Sequence, residues 1–136
     1  MWQENLAYAL VQVVHNFGAV ALLGGAVFAL WPVSRLEYAR AFAGLILLAW
    51  GAQIASGALF GATSLYYYGE TPDLSRVAMA ALGVKVVAAA AGFLLAAACL
   101  LRGREWGRAG VRRCFRALAA LGVVALTAAA FLRWFS

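Results

Sequence analysis

Four stretches of the chain are almost uninterruptedly apolar: Leu6 to Trp31, Ala41 to Ala62, Val77 to Leu101 and Ala117 to Trp134. A hydrocarbon core of about 30 Å takes roughly 20 apolar residues in a helix, so each run is long enough to cross a bilayer. The polar interruptions are short: a turn at Pro32, a loop from Tyr66 to Asp73, and an arginine-rich linker before Ala117. The pattern predicts an all-α integral membrane protein, a four-transmembrane-helix bundle forming one domain over residues 1–136. No interruption is long enough to hold a second, water-soluble domain.

Composition agrees, since 66% of the residues are hydrophobic and only 12% are charged. A water-soluble domain of this size cannot carry that balance. The charges that remain orient the helices, because cytoplasmic loops carry the excess of Lys and Arg. Arg35 and Arg40 fall between the first two helices, and Arg102, Arg104, Arg108, Arg112, Arg113 and Arg116 between the last two. The connection between the second and third has Arg76 against Glu70 and Asp73, and Glu4 precedes the first helix with no basic residue. Both termini are therefore expected on the outer, periplasmic side of a bacterial-type cytoplasmic (inner) membrane. The lack of a basic stretch before helix one also argues against a cleaved signal peptide.

The sequence pI near 10 comes largely from the Arg102–Arg116 region. A cluster there attracts anionic lipid and fixes topology rather than binding nucleic acid. Tyr66, Tyr67 and Tyr68, with Trp2, Trp31, Trp106 and Trp134, fall at boundary levels and read as an interfacial aromatic belt. Cys99 and Cys114 fall at the inner side, where thiols stay reduced, and their spacing matches no zinc or redox motif. Gly24-Gly25, the segment Gly57 to Gly61 and the alanines Ala88 to Ala91 mark faces where helices approach closely, since small residues drive association in lipid.

Polar residues inside the apolar runs need a reason, because each is costly in hydrocarbon without a partner. Helix one carries Gln12, His15 and Asn16, spaced to share a face. Helix two carries Gln53 and Ser56, helix three the only lysine, Lys85, and helix four Thr127. Counting about 1.5 Å per residue from the outer end of each helix sets these groups at similar depth. They define one polar pocket in the outer half of the bundle, with His15 as the metal-ligand candidate and Gln12, Asn16, Gln53, Ser56, Lys85 and Thr127 as ligand-binding candidates. The imidazole can bind a metal, exchange a proton or hydrogen-bond across the bundle. No acidic residue lies in a helix interior, so Lys85 is neutral, hydrated from outside, or paired with a bound carboxylate, quinone oxygen or haem propionate. Without a carboxylate pair, nucleophile elbow or His-Glu-x-x-His motif, the pattern does not read as a conventional enzyme.

The spacing His15-x8-Gly24-Gly25-x-x-Phe28, then Ser56-Gly57, Gly83-x-Lys85 running to Leu101-Arg102, and Thr127 resembles the copper-resistance D (CopD) type of four-helix membrane domain over nearly the whole chain. Leu23 stands where that family usually has an aromatic residue, and larger members have further helices. The resemblance implies a small inner-membrane protein that takes up or transfers copper ions, with His15 and Lys85 as the positions carried over. Two other classes stay open: the membrane subunit of a redox complex binding quinone or haem, or a structural or assembly protein without its own ligand. The single histidine excludes a bis-histidine haem within one chain but not one axial ligand or a haem shared between two chains. A membrane or periplasmic protein partner is compatible with each class.

Overall fold

In the computed structural model, which describes residues 2–31, 36–70 and 73–136, every regular element is helical. The helices are α1 (Trp2–Ala29), α2 (Leu36–Tyr68), α3 (Arg76–Arg102) and α4 (Gly107–Phe135). At 1.5 Å per residue they are about 40 to 50 Å long. Each is long and apolar enough to cross a membrane. The expected turn at Pro32, Arg35, and the Thr71-Pro72 part of the second loop lie outside the described residues.

The two described reversals are made where glycine supplies a left-handed backbone. Gly69 (φ 71°) closes α2, its N–H reaching the Leu65 carbonyl at 2.9 Å, and Gly107 (φ 65°) opens α4. A side chain at either position would strain the turn. Ser75 caps α3, its hydroxyl accepting the Ala78 N–H at 3.2 Å.

Neighbours in sequence are neighbours in space: α1 packs on α2, α2 on α3, α3 on α4, and α4 closes the ring against α1. Contacts at one end confirm the up-and-down course. The Tyr68 hydroxyl donates to Glu4, joining the end of α2 to the start of α1, and the Ser75 hydroxyl donates to the Phe135 carbonyl. Both chain ends thus share one end of the bundle, and the 103–106 connection lies at the other. The core is filled by a few large side chains, Leu22, Ile46, Trp50, Phe115 and Leu118, set among alanines. Many other large apolar side chains point outward, Phe17, Val20, Leu48 and Leu94 among them.

Except at the end of α1, which stops at Ala29 short of Trp31, the helices overrun the apolar segments that announced them, most of all α4, which begins ten residues before Ala117. Arg108, Arg112, Arg113 and Arg116 are therefore exposed positions of a helix, not a loop. Hydropathy marks where a chain leaves hydrocarbon, whereas arginine is a good helix former and lets the hydrogen bonds continue. Tyr66, Tyr67 and Tyr68 likewise form the last turn of α2. The glycine reading also needs correction. Gly24, Gly57 and Gly61 have nothing within 4 Å of where a Cβ would stand, so they mark no close approach. Gly92 does: a Cβ there would lie 2.3 Å from the Trp50 ring. Gly25 against Ile46, Gly122 against Leu22, and Gly18 against Gln53 are the other close contacts between helices.

Candidate functional site

Halfway along α1, His15 meets side chains from two other helices. Its Nδ1 lies 2.7 Å from the Ser56 hydroxyl on α2, and its Nε2 lies 3.2 Å from Lys85 Nζ on α3. The backbone carbonyl of His15 accepts a hydrogen bond from the Gln53 side-chain amide. One turn separates Gln53 from Ser56, so α2 grips both the ring and the backbone of the same residue.

The donors and acceptors can be ordered. The single hydroxyl proton of Ser56 has backbone acceptors within reach, the Ala52 carbonyl at 2.6 Å and the Gln53 carbonyl at 3.3 Å. Ser56 therefore accepts from His15, which places a proton on Nδ1. The Nε2 lone pair of the neutral ring then accepts from the Lys85 amine. This chain runs Lys85 to His15 to Ser56 to the α2 backbone, and each donor in it has an acceptor. It ties α1, α2 and α3 together at one level.

Ser56 and Gln53 are buried, while His15 and Lys85 are half-buried. The His15 and Phe60 rings meet edge to face at 5.7 Å between centroids, and Phe60 stacks with Tyr8 toward the end that holds the termini. On the other side of Lys85, toward the middle of the bundle, lies a cavity of about 30 Å³ bordered by Leu22, Trp50, Gln53, Lys85 and Ala125. It can hold a water molecule and is far too small for an organic ring. The buried Trp50 Nε1 has no hydrogen-bond partner among the described residues, and this edge of the indole rests on Gly92.

Lys85 has no carboxylate near this level. The five acidic residues, Glu4, Glu37, Glu70, Asp73 and Glu105, all fall in terminal turns or connections. Lys85 therefore offers its remaining N–H groups to whatever reaches the centre from outside the bundle.

Of the candidates read from the sequence, His15, Gln53, Ser56 and Lys85 come together. Gln12 and Asn16 do not join them: they are exposed and bond each other, Gln12 Nε2 to Asn16 Oδ1 at 2.7 Å. Thr127 is exposed too, its hydroxyl returning to the Val123 carbonyl at 2.8 Å. The centre therefore draws on three helices, and α4 contributes only apolar cavity wall. Sequence reasoning missed Gly18. A Cβ there would stand 2.9 Å from Gln53 Nε2, so the absence of a side chain lets that amide reach the His15 carbonyl. Its signal was available: a glycine three residues after the histidine shares its face. Among the described residues, no group of three or more His, Cys, Asp or Glu side chains is assembled for a metal.

Compared with known proteins, the chain matches no family model, no curated protein and no solved structure.

Proposed function

We propose that this chain is a multi-pass protein of a bacterial-type cytoplasmic membrane, with both termini outside. We further propose that its Lys85–His15 centre binds a quinone, making it the membrane subunit of a redox assembly. The outward-facing Phe17, Val20, Leu48 and Leu94 support the membrane reading, as such apolar surface is stable in lipid and not in water. The arginines near the 103–106 connection support the orientation.

The observation that carries the ligand reading is an amine donating to an imidazole with no carboxylate at its level. A lysine at mid-membrane costs about 2.5–3.5 kcal/mol. An interhelical hydrogen bond returns only about 0.6–2 kcal/mol. Locking helix register does not offset that cost, and a serine or asparagine would lock it more cheaply. Binding a ligand oxygen gives the amine a second acceptor. A quinone carbonyl suits the position: it is neutral, arrives through lipid, and accepts hydrogen bonds. On reduction it takes up protons, and Lys85 and His15 hold a transferable one between them.

The resemblance to the CopD type proposes copper at the same centre. There both nitrogens of His15 already face hydrogen-bond partners, and the ammonium of Lys85 would repel a cation. An oxygen-bearing ligand fits this donor set better than a metal ion.

The test is titration of the protein in lipid nanodiscs with a short-chain benzoquinone, followed by quenching of tryptophan fluorescence. Saturable quenching that weakens about tenfold to a hundredfold in Lys85→Met, with the helical spectrum retained, is the expected result, since a hydrogen bond from a charged donor contributes about 1.5–3 kcal/mol. Equal affinity in the variant, or no saturable quenching in the native chain, overturns the proposal.

A further inference from the structure

Two amide side chains stand on the outside of the bundle at a level where lipid cannot satisfy them. The helix α1 runs from Trp2 to Ala29, so Asn16 lies at its middle and Gln12 one turn nearer the end that holds the termini. Both are exposed, and Val13, Phe17 and Val20 around them are exposed apolar surface. The bond from Gln12 Nε2 to Asn16 Oδ1, 2.7 Å long, uses one of the pair's four amide N–H groups. Among the described residues, neither side chain has another partner. Gln12 Oε1 and three N–H groups are left facing hydrocarbon, where unmade hydrogen bonds are expensive. Thr127 gives the contrast: it is exposed as well, but its one hydroxyl proton returns to the Val123 carbonyl of its own helix. The amide pair has donors to spare and no such outlet.

We propose that this face of α1 packs against α1 of a second copy of this chain, forming a parallel dimer within the membrane. Asn5, Ala9, Gln12 and Asn16 follow one another at steps of four, three and four residues, and all four are exposed. That spacing is the seam of two helices crossing at a shallow left-handed angle. Copies inserted by the same charge rule run in the same direction. Residues of equal number therefore meet at equal depth, and the amides of one copy face the amides of the other. Each amide carries both donors and an acceptor, so the surface complements itself: the Asn16 N–H groups of one copy reach the Gln12 and Asn16 oxygens of the other, and the reverse. A different protein would need amides of its own at this depth, whereas a second copy has them by symmetry. Of the four helices, α1 also buries the smallest share of its apolar stretch within its own chain, which leaves this surface for a partner. The amides bond to no other helix of their own chain, so the monomer folds without them. The dimer rests on the membrane placement proposed above and is independent of the ligand at His15.

The test is energy transfer between donor- and acceptor-labelled copies in lipid vesicles, over a wide range of protein-to-lipid ratios. The native chain is expected to show transfer that falls on dilution as a monomer–dimer equilibrium. Gln12→Leu/Asn16→Leu should associate about tenfold less tightly, as loss of interhelical hydrogen bonds in lipid requires. Thr127→Val should associate as the native chain does. Cysteine substitution marks the face without removing an amide: Ala9→Cys should form a disulfide between copies on mild oxidation. Leu10→Cys, also exposed but turned about 100° away, should not. The native Cys99 and Cys114 are buried and do not compete. A native chain that is monomeric at every dilution, a double variant that associates as tightly as the native chain, or crosslinking of Leu10→Cys as efficient as that of Ala9→Cys overturns the dimer. A chain that an alkaline wash removes from the vesicles contradicts the membrane placement and the dimer with it, whereas a retained monomer contradicts the dimer alone.

Discussion

Replacing Gly92 by alanine tests how tightly the interior of the bundle is fitted around Trp50. The added methyl would stand 2.3 Å from Cε2, 2.5 Å from Cζ2 and 2.7 Å from Nε1 of the indole. Ordinary carbon contacts fall at about 3.5–4.0 Å, so the ring or the helix must give by more than about 1 Å. Trp50 is only 1% exposed and cannot swing outward. Overpacking of this kind costs about 1–3 kcal/mol, and a rigid ring against a helix backbone belongs at the upper end. Alanine also gains about 1 kcal/mol over glycine in a helix, which masks part of the loss. Gly83→Ala on the same helix supplies the control, because nothing lies within 4 Å of its Cβ position. The propensity gain cancels between the two variants, so Gly92→Ala should be less stable than Gly83→Ala by about 3 kcal/mol. Reversible unfolding by dodecyl sulfate in mixed micelles, followed by helical circular dichroism, reads the difference. Adding Trp50→Phe, which removes the clashing edge, should recover about 1 kcal/mol or more as coupling. If Gly92→Ala and Gly83→Ala unfold within about 0.5 kcal/mol of each other, the packing account of α2 on α3 is wrong.

Three further outcomes follow from the centre itself. Ser56→Ala removes the acceptor for His15 Nδ1–H and should cost about 1–2 kcal/mol in the same unfolding assay; no measurable loss would mean that the hydrogen bond is not formed. Gly18→Ala should push the Gln53 amide off the His15 carbonyl, so Gln53→Ala added to it should cost little more, and full additivity would contradict that link. Gln12→Ala, Asn16→Ala and Thr127→Val should each stay within about 0.5 kcal/mol of the native protein and leave quinone affinity unchanged, which the same two assays measure.

The four helices were legible because apolar length is a coarse signal that survives ignorance of packing. Their ends were not. The start of α4 hid behind four arginines, although Val111, Cys114, Phe115 and Leu118 recur at helical spacing between them and are buried. The meeting of His15 with Lys85 followed from depth counting, since residues at one level of an antiparallel bundle can touch. Depth says nothing of rotation about the helix axis, and rotation is what turns Gln12, Asn16 and Thr127 outward. The same ignorance misassigned the glycines. Gly24 and Gly25 are adjacent, hence about 100° apart around α1, and only Gly25 meets Ile46. The packing of Cys114 against α3 was missed for a related reason: sequence separation matches no motif, yet the short 103–106 connection folds α4 back so that Cys114 reaches the Leu95 carbonyl.

The central claim is that Lys85 donates to the oxygen of a ligand that reaches the His15 centre from outside the bundle. Infrared difference spectroscopy of a bound quinone, with its carbonyls isotope-labelled, tests it most directly in the native protein and in Lys85→Met. The account predicts one carbonyl band displaced from its position in free lipid in the native protein and returned to it in the variant. A carbonyl band that is the same in both proteins would contradict it.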